Sequence, residues 1–203
     1  MAAIDPAIYE EMEISAETTN GSGKTIDLKL GVVKFNYYED LFSPTVTAQM
    51  LIVSAGGATK TNENGEGTEV LDTVYSGLPI RGGERVRIKI KPNSETNVPL
   101  EFDTPEKYFY VSNVARQFSD GSKEIFTLDL VSREAITNET SRVVKRYPKE
   151  SKISDHVKTI ITDRLASTIE DDNIDETVNR YGFIGNLKKP FHVLVWLASK
   201  SKP

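Results

Sequence analysis

The sequence predicts a mainly β chain of the α+β class. A β-barrel domain is expected over residues 1–140, then a linker and the helical beginning of a second, incomplete domain over 141–203. Three observations predict this. Charged and apolar residues alternate without a break from Glu84 to Lys91, two long alternating runs flank Asp120-Gly121, and after Ser132 the apolar spacing changes from period two to that of a helix.

The elements follow in chain order. A strand near Met12–Ala16 leads into the turn-forming cluster Thr19-Asn20-Gly21-Ser22-Gly23, and alternation resumes at Ile26, Leu28 and Leu30. Val33, Phe35 and Tyr37 give a short further set; Val46, Ala48, Met50 and Ile52 give another. The polar stretch Ala55–Thr68, with Gly56-Gly57 and Asn62 to Gly67, reads as a long exposed loop that contacts a neighbouring subunit. Gly82-Gly83 opens the strand through Val86, Ile88 and Ile90, whose charged alternates face water. The clearest hairpin joins Tyr108–Phe118 to Lys123–Ser132, because Gly121 takes positive φ at little cost. On its second arm Phe126, Leu128 and Leu130 point one way and Thr127 and Asp129 the other.

Beyond Ser132, Ile153, Val157, Ile160, Ile161 and Leu165 recur at helical spacing over Lys152–Leu165, with Ser151 or Ser154 to cap the start. Pro190 opens a second helix from Phe191 to about Lys200, with Phe191, Leu194, Val195 and Ala198 on one face. No strand follows to cover these stripes before Pro203, so the expectation is a piece of a longer protein.

Composition excludes several classes. The chain of 203 residues, 38% hydrophobic and 27% charged, is that of an ordinary globular protein. It has no cysteine, which removes disulfides, thiolate metal sites and a cysteine nucleophile. Met1 to Glu13 carries acids and no base, unlike a secretory signal, and no apolar run approaches the ~20 residues of a bilayer span. A net charge of -5 argues against a domain that grips DNA.

Several motifs resemble sites without completing them. Gly21-Ser22-Gly23-Lys24-Thr25 looks like the end of a phosphate-binding loop, but Thr18 stands where the first glycine belongs and strand-like Ile26 to Leu30 follows. Asp171 to Glu176 begins like a calcium loop, yet its sixth position is Glu176 and its twelfth is Gly182. His156 and His192 lack ligand partners at metal spacing, and read as structural. Arg142, Lys145, Arg146 and Lys149 form a basic cluster with only Tyr147 for base stacking, which reads as a solvated linker or the complement of an acidic neighbour. No nucleophile elbow or Ser-His-acid set is present, so no catalytic, cofactor or metal residue is nominated. The candidate interface elements are Ala55–Thr68 and Glu84–Lys91.

Four segments, in order, resemble the baseplate hub proteins of contractile-tailed phages, especially cyanophages. Leu78-Pro79-Ile80-Arg81-Gly82-Gly83-Glu84 resembles the turn into a core strand of the hub's first domain, and Phe126 to Glu134 its last strand and exit. Lys152-Ile153-Ser154-Asp155 resembles the opening of the second domain. Tyr181 to Asn186 with Lys189-Pro190-Phe191 and Trp196 to Lys200 resembles its next loop and helix.

The resemblance implies a tail-tube-type β-barrel domain followed by part of a second tube-type domain. It further implies a structural, non-enzymatic virion protein without cofactors, made in the host cytoplasm and placed in the tail baseplate. Its partners would be two further copies in a homotrimer, the hexameric tail tube protein ring on one side and the trimeric tail spike on the other, with other baseplate proteins around. DNA would only transit the lumen, and no membrane would be entered. The residues alone leave three alternatives: a part of another contractile injection system, a tail-associated cell-wall hydrolase, or a ligand-binding β domain with clustered aromatics such as Tyr108, Phe109 and Tyr110.

Overall fold

The computed structural model describes residues 7–16, 24–54, 58–61, 68–71, 74, 80–94, 96–120, 123–168 and 173–202. The chain divides into two compact units, residues 1–132 and 133–203, each with its own hydrophobic core.

The first unit is a sheet of ten strands among the described residues. These are β1 (Ile8–Ala16), β2 (Lys24–Asp27), β3 (Val32–Tyr38), β4 (Thr47–Ser54), β5 (Ala58–Thr61), β6 (Thr68–Leu71), β7 (Arg85–Lys91), β8 (Leu100–Phe102), β9 (Phe109–Asp120) and β10 (Lys123–Ser132). Their order is β3-β4-β10-β9-β7-β1-β2-β5-β6, with β8 beside β7, and the sheet curls into a half-barrel. This mainly β architecture is the fold class expected from the sequence. One edge of β7 serves two neighbours: Arg85 and Val86 pair with β9, Ile88 to Ile90 with β8.

Period two works because one face of β1, β4, β7 and β10 is buried. Met12 and Ile14, Ala48, Met50 and Ile52, Val86 and Ile88, and Phe126, Leu128 and Leu130 are all in the core. Each fully buried large apolar side chain contributes about 1.5–3 kcal/mol. Phe109 is buried between the partly covered Tyr108 and Tyr110, so these three rings do not cluster outside.

Alternation misleads where the backbone leaves the ladder. Leu30 is fully exposed, not the third inward residue after Ile26 and Leu28. The chain turns there, with the Gly31 amide donating to Leu28 O at 2.8 Å. Val33 is also outside, because a bulge between Val32 and Lys34 advances the phase and turns Val32 inward instead. Ala58–Thr61, expected within a loop, is strand β5, paired to β2 and β6. Residues 55–57 and 62–67 of that expected loop, the glycine turns at 19–23 and 121, and positions 171–172 lie outside the described residues.

The second unit contains helix α1 (Arg133–Thr140), β11 (Arg146–Tyr147), helix α2 (Ile153–Ile160) running into a π-helical turn (Ile161–Leu165), β12 (Phe183–Ile184) and helix α3 (Pro190–Ala198). β11 and β12 pair antiparallel. Its core joins Val143, Tyr147, Ile153, Ile160, Val193 and Leu197, with Phe183, Tyr181 and Trp196 against them. Tyr147 stacks on Phe183 at 4.4 Å between ring centroids, and both meet the edge of His156. His156 Nε2 lies 3.1 Å from Pro148 O and 2.9 Å from Tyr181 O. Carbonyls only accept, so Nε2 carries the hydrogen. This histidine is structural.

Two expectations for the helices, the cap of α2 and the buried face of α3, are corrected. No serine caps α2; the Asp155 carboxylate accepts the Lys152 amide at 3.2 Å. The helical spacing over 152–165 is observed: Ile153, Ile160 and Leu165 are buried and Val157 and Ile161 partly so, with Ser154 and His156 also buried and the last turn π-helical. On α3 the buried face is Pro190, Val193 and Leu197, whereas Val195 and Ala198 are exposed. That helix is apolar on nearly every side, so spacing could not choose its face. Helix α1, mostly polar, carries no apolar stripe to announce it. It nonetheless supplies Asn138, whose Oδ1 accepts the Phe191 amide at 2.9 Å and caps α3, where Lys189 offers no acceptor.

Candidate functional site

The strand Glu84–Lys91 is one of the two candidate interface elements, and register explains its charges. Glu13 sits opposite Arg87, Glu11 opposite Lys89, and Glu101 opposite Lys89 from the other side. Arg87 reaches Glu11 at 3.1 Å and Glu13 at 3.2 Å, and Lys89 reaches Glu101 at 3.5 Å. Glu101 and its hydrogen bond hold the Lys89 ammonium above its ordinary pKa. Opposite charges directly across strands satisfy one another, so this face has little unpaired charge to offer a partner.

Glu84 does not belong to that wet face. It is buried, and its two oxygens accept the amides of Arg81 at 2.7 Å and Gly82 at 2.9 Å. Gly82 and Gly83 adopt φ of 104° and 90°, a conformation glycine takes without strain. The carboxylate therefore fixes the turn into β7. Beside the strand, an open groove of about 630 Å³ runs between Ile8, Glu10, Lys91 and the Pro92–Pro99 loop. The Ser94 hydroxyl on its wall is engaged by Thr96, at 2.8 Å from Thr96 Oγ1.

The incomplete motifs acquire structural roles. Lys24 and Thr25 begin β2, so no helix follows the glycine cluster. Glu176 is engaged by Lys152 at 2.8 Å, a hydrogen bond that lowers its pKa. The basic cluster is embedded in the second unit, not in a solvated linker: Val143 and Tyr147 between its members are core residues. Arg142 donates to Ser141 O and Glu139 O, and Lys145 meets Asp163 at 3.0 Å. Among the described residues, no three or more His, Asp or Glu side chains are grouped to hold a metal ion, and no helix is long and apolar enough to cross a membrane.

Two apolar features were not singled out by sequence reasoning. The β3–β4 turn lifts Leu41 and Phe42 into solvent. The only signal was two consecutive large apolar residues inside a stretch of turn formers, Asp40 to Pro44. In the second unit a recess of about 200 Å³ opens between β12 and α3. Asn186 and Leu187, with left-handed φ of 47° and 57°, turn the chain beside it. Gly185 lets that turn approach: a Cβ there would fall 2.3 Å from Val143 O.

No protein-family model matches the chain, and no curated protein matches it. Among solved structures it is similar to the 43 kDa tail protein of prophage MuSo2 from Shewanella oneidensis, with a TM-score of 0.50 at 12% identity. The likeness covers 94% of this chain and 48% of that one, so the chain spans about half the length of the protein it matches. At such identity what the two share is the fold, mainly β and shared with a prophage tail protein.

Proposed function

We propose that the chain is a structural component of a phage tail, a baseplate hub subunit joining the hexameric tail tube to the trimeric spike. The observation that carries the reading is the fold likeness to a tail protein over 94% of the chain. Unit 1–132 would be the first tube-type domain and 133–203 the beginning of the second. The half-barrel is open among the described residues, ending at β3 and β6, and such edges are covered when copies close into a ring. The charge of -5 suits a wall that lets DNA pass without holding it. On this reading the protein has no catalytic role, and it resides in the tail baseplate of the virion.

Mass measurement by light scattering and averaged electron micrographs of the full chain test this. Three copies in a threefold ring are expected; a monomer at the highest soluble concentration overturns the reading.

A further inference from the structure

Two surface features of opposite shape and charge stand on different units. Leu41 and Phe42 are 94% and 93% exposed. Their turn is rigid: Asp40 Oδ1 accepts the Phe42 amide at 2.9 Å, Asp40 O accepts the Ser43 amide at 3.0 Å, and the Ser43 hydroxyl donates to Thr45 O at 2.8 Å. The tip is thus presented ready-formed, so ordering it on binding costs little. Glu39 and Asp40 flank it, and neither makes an ion pair among the described residues. Both acids accept hydrogen bonds within the segment, Glu39 from the Tyr37 hydroxyl and Asp40 from the Phe42 amide, yet no cation among the described residues offsets their charge, which argues against an anionic lipid surface.

The recess on the second unit has the converse chemistry. Phe183, Ile184, Val193 and Trp196 give it apolar walls, and Lys188 and His192 line it with basic groups. Lys188 is exposed and makes no ion pair among the described residues. Apolar cavities of about 150 Å³ hold a benzene ring, so a recess of about 200 Å³ admits one phenyl group.

We propose that Phe42 of one copy seats in the Trp196 recess of a second copy, with Glu39 and Asp40 toward Lys188. The contact joins two different faces. It is heterologous, the kind that closes a cyclic ring, and it therefore rests on the trimeric hub reading and names its subunit contact.

Complementary mixing of full-length variants tests it. Phe42→Ala removes the tip and keeps the recess; Ile184→Lys places a charge in the recess and keeps the tip. Each alone is expected to weaken association by about 30-fold or more, the scale of an aromatic hot spot. Mixed one to one, they retain one intact contact and should form a two-chain species that cannot close. Trp196, the single tryptophan, reports docking by a concentration-dependent emission shift absent in both variants. Lys188→Glu, which leaves the apolar walls intact, replaces Ile184→Lys if that variant does not fold. Variants that remain trimeric overturn the docking and leave the hub reading standing. Variants that dissociate but give no mixed dimer, or an emission independent of concentration, also overturn it. A monomeric wild type removes both.

Discussion

The two units are stabilised differently. The first spreads burial over many strands, with Ile52, Leu128, Ile88 and their neighbours each one of a repeated series. The second depends on a few particular contacts: a stacked Tyr147–Phe183 pair around a buried His156, one asparagine cap, and a glycine where no Cβ fits. A repeated pattern tolerates the loss of one member, because its neighbours still bury the sheet face. A small core built on specific contacts does not.

The largest expected effect breaks that comparison if it fails. Gly185→Ala forces a methyl against Val143 O and should cost about 3 kcal/mol or more, whereas Leu128→Met in the sheet core should cost under about 1.5 kcal/mol. Urea unfolding followed by Trp196 fluorescence for the first and far-ultraviolet dichroism for the second gives both numbers. Equal losses would mean that the sheet is as exacting as the small core.

Asn138→Ala sharpens the comparison at the next scale. It leaves the Phe191 amide without its acceptor and should lower stability by about 1–2 kcal/mol, with Asn138→Asp recovering most of it. Thermal melts of the three proteins would show the order.

The smallest effect is a pH dependence in the first unit. Burial, then the hydrogen bond to Glu39, pushes the Tyr37 phenol up from 10.0 to about 12. The native state keeps that proton where the unfolded chain has lost it. The associated stability is full below pH 10 and disappears as pH rises toward 12. Tyr37→Phe should change neutral stability by under about 1 kcal/mol and flatten the alkaline fall in the urea midpoint. Tyr147, also raised by burial, keeps its own part of the alkaline fall in that variant.

The same contrast explains what could be read in advance. Alternation found the inward residues of β4, β7 and β10 because those backbones stay in the ladder over the predicted runs. It lost Leu30 and Val33, where a turn and a bulge change phase with no change in hydrophobicity. Parity places Glu84 on the inward side with Val86 and Ile88, but nothing in the string of letters shows the two amides that hold its buried carboxylate. Helix α3 exposes Val195 and buries Val193, a choice made by Tyr181, Phe183 and their neighbours, not by local spacing. The apolar tip and its proposed recess were illegible for a related reason: one is defined by what it fails to touch, the other by residues from separate segments.

The sheet also sets a schedule for synthesis. β1 pairs with β7, and β4 with β10, across most of the first unit's length. A chain leaving the ribosome therefore presents β1 and β4 long before their partners exist, and contacts this distant form slowly. The hairpin of β9 and β10 is the last piece of that unit made and the one that lies between β4 and β7. Until it emerges, the early strands have open edges in a crowded cell, and closure of the sheet comes as one late event.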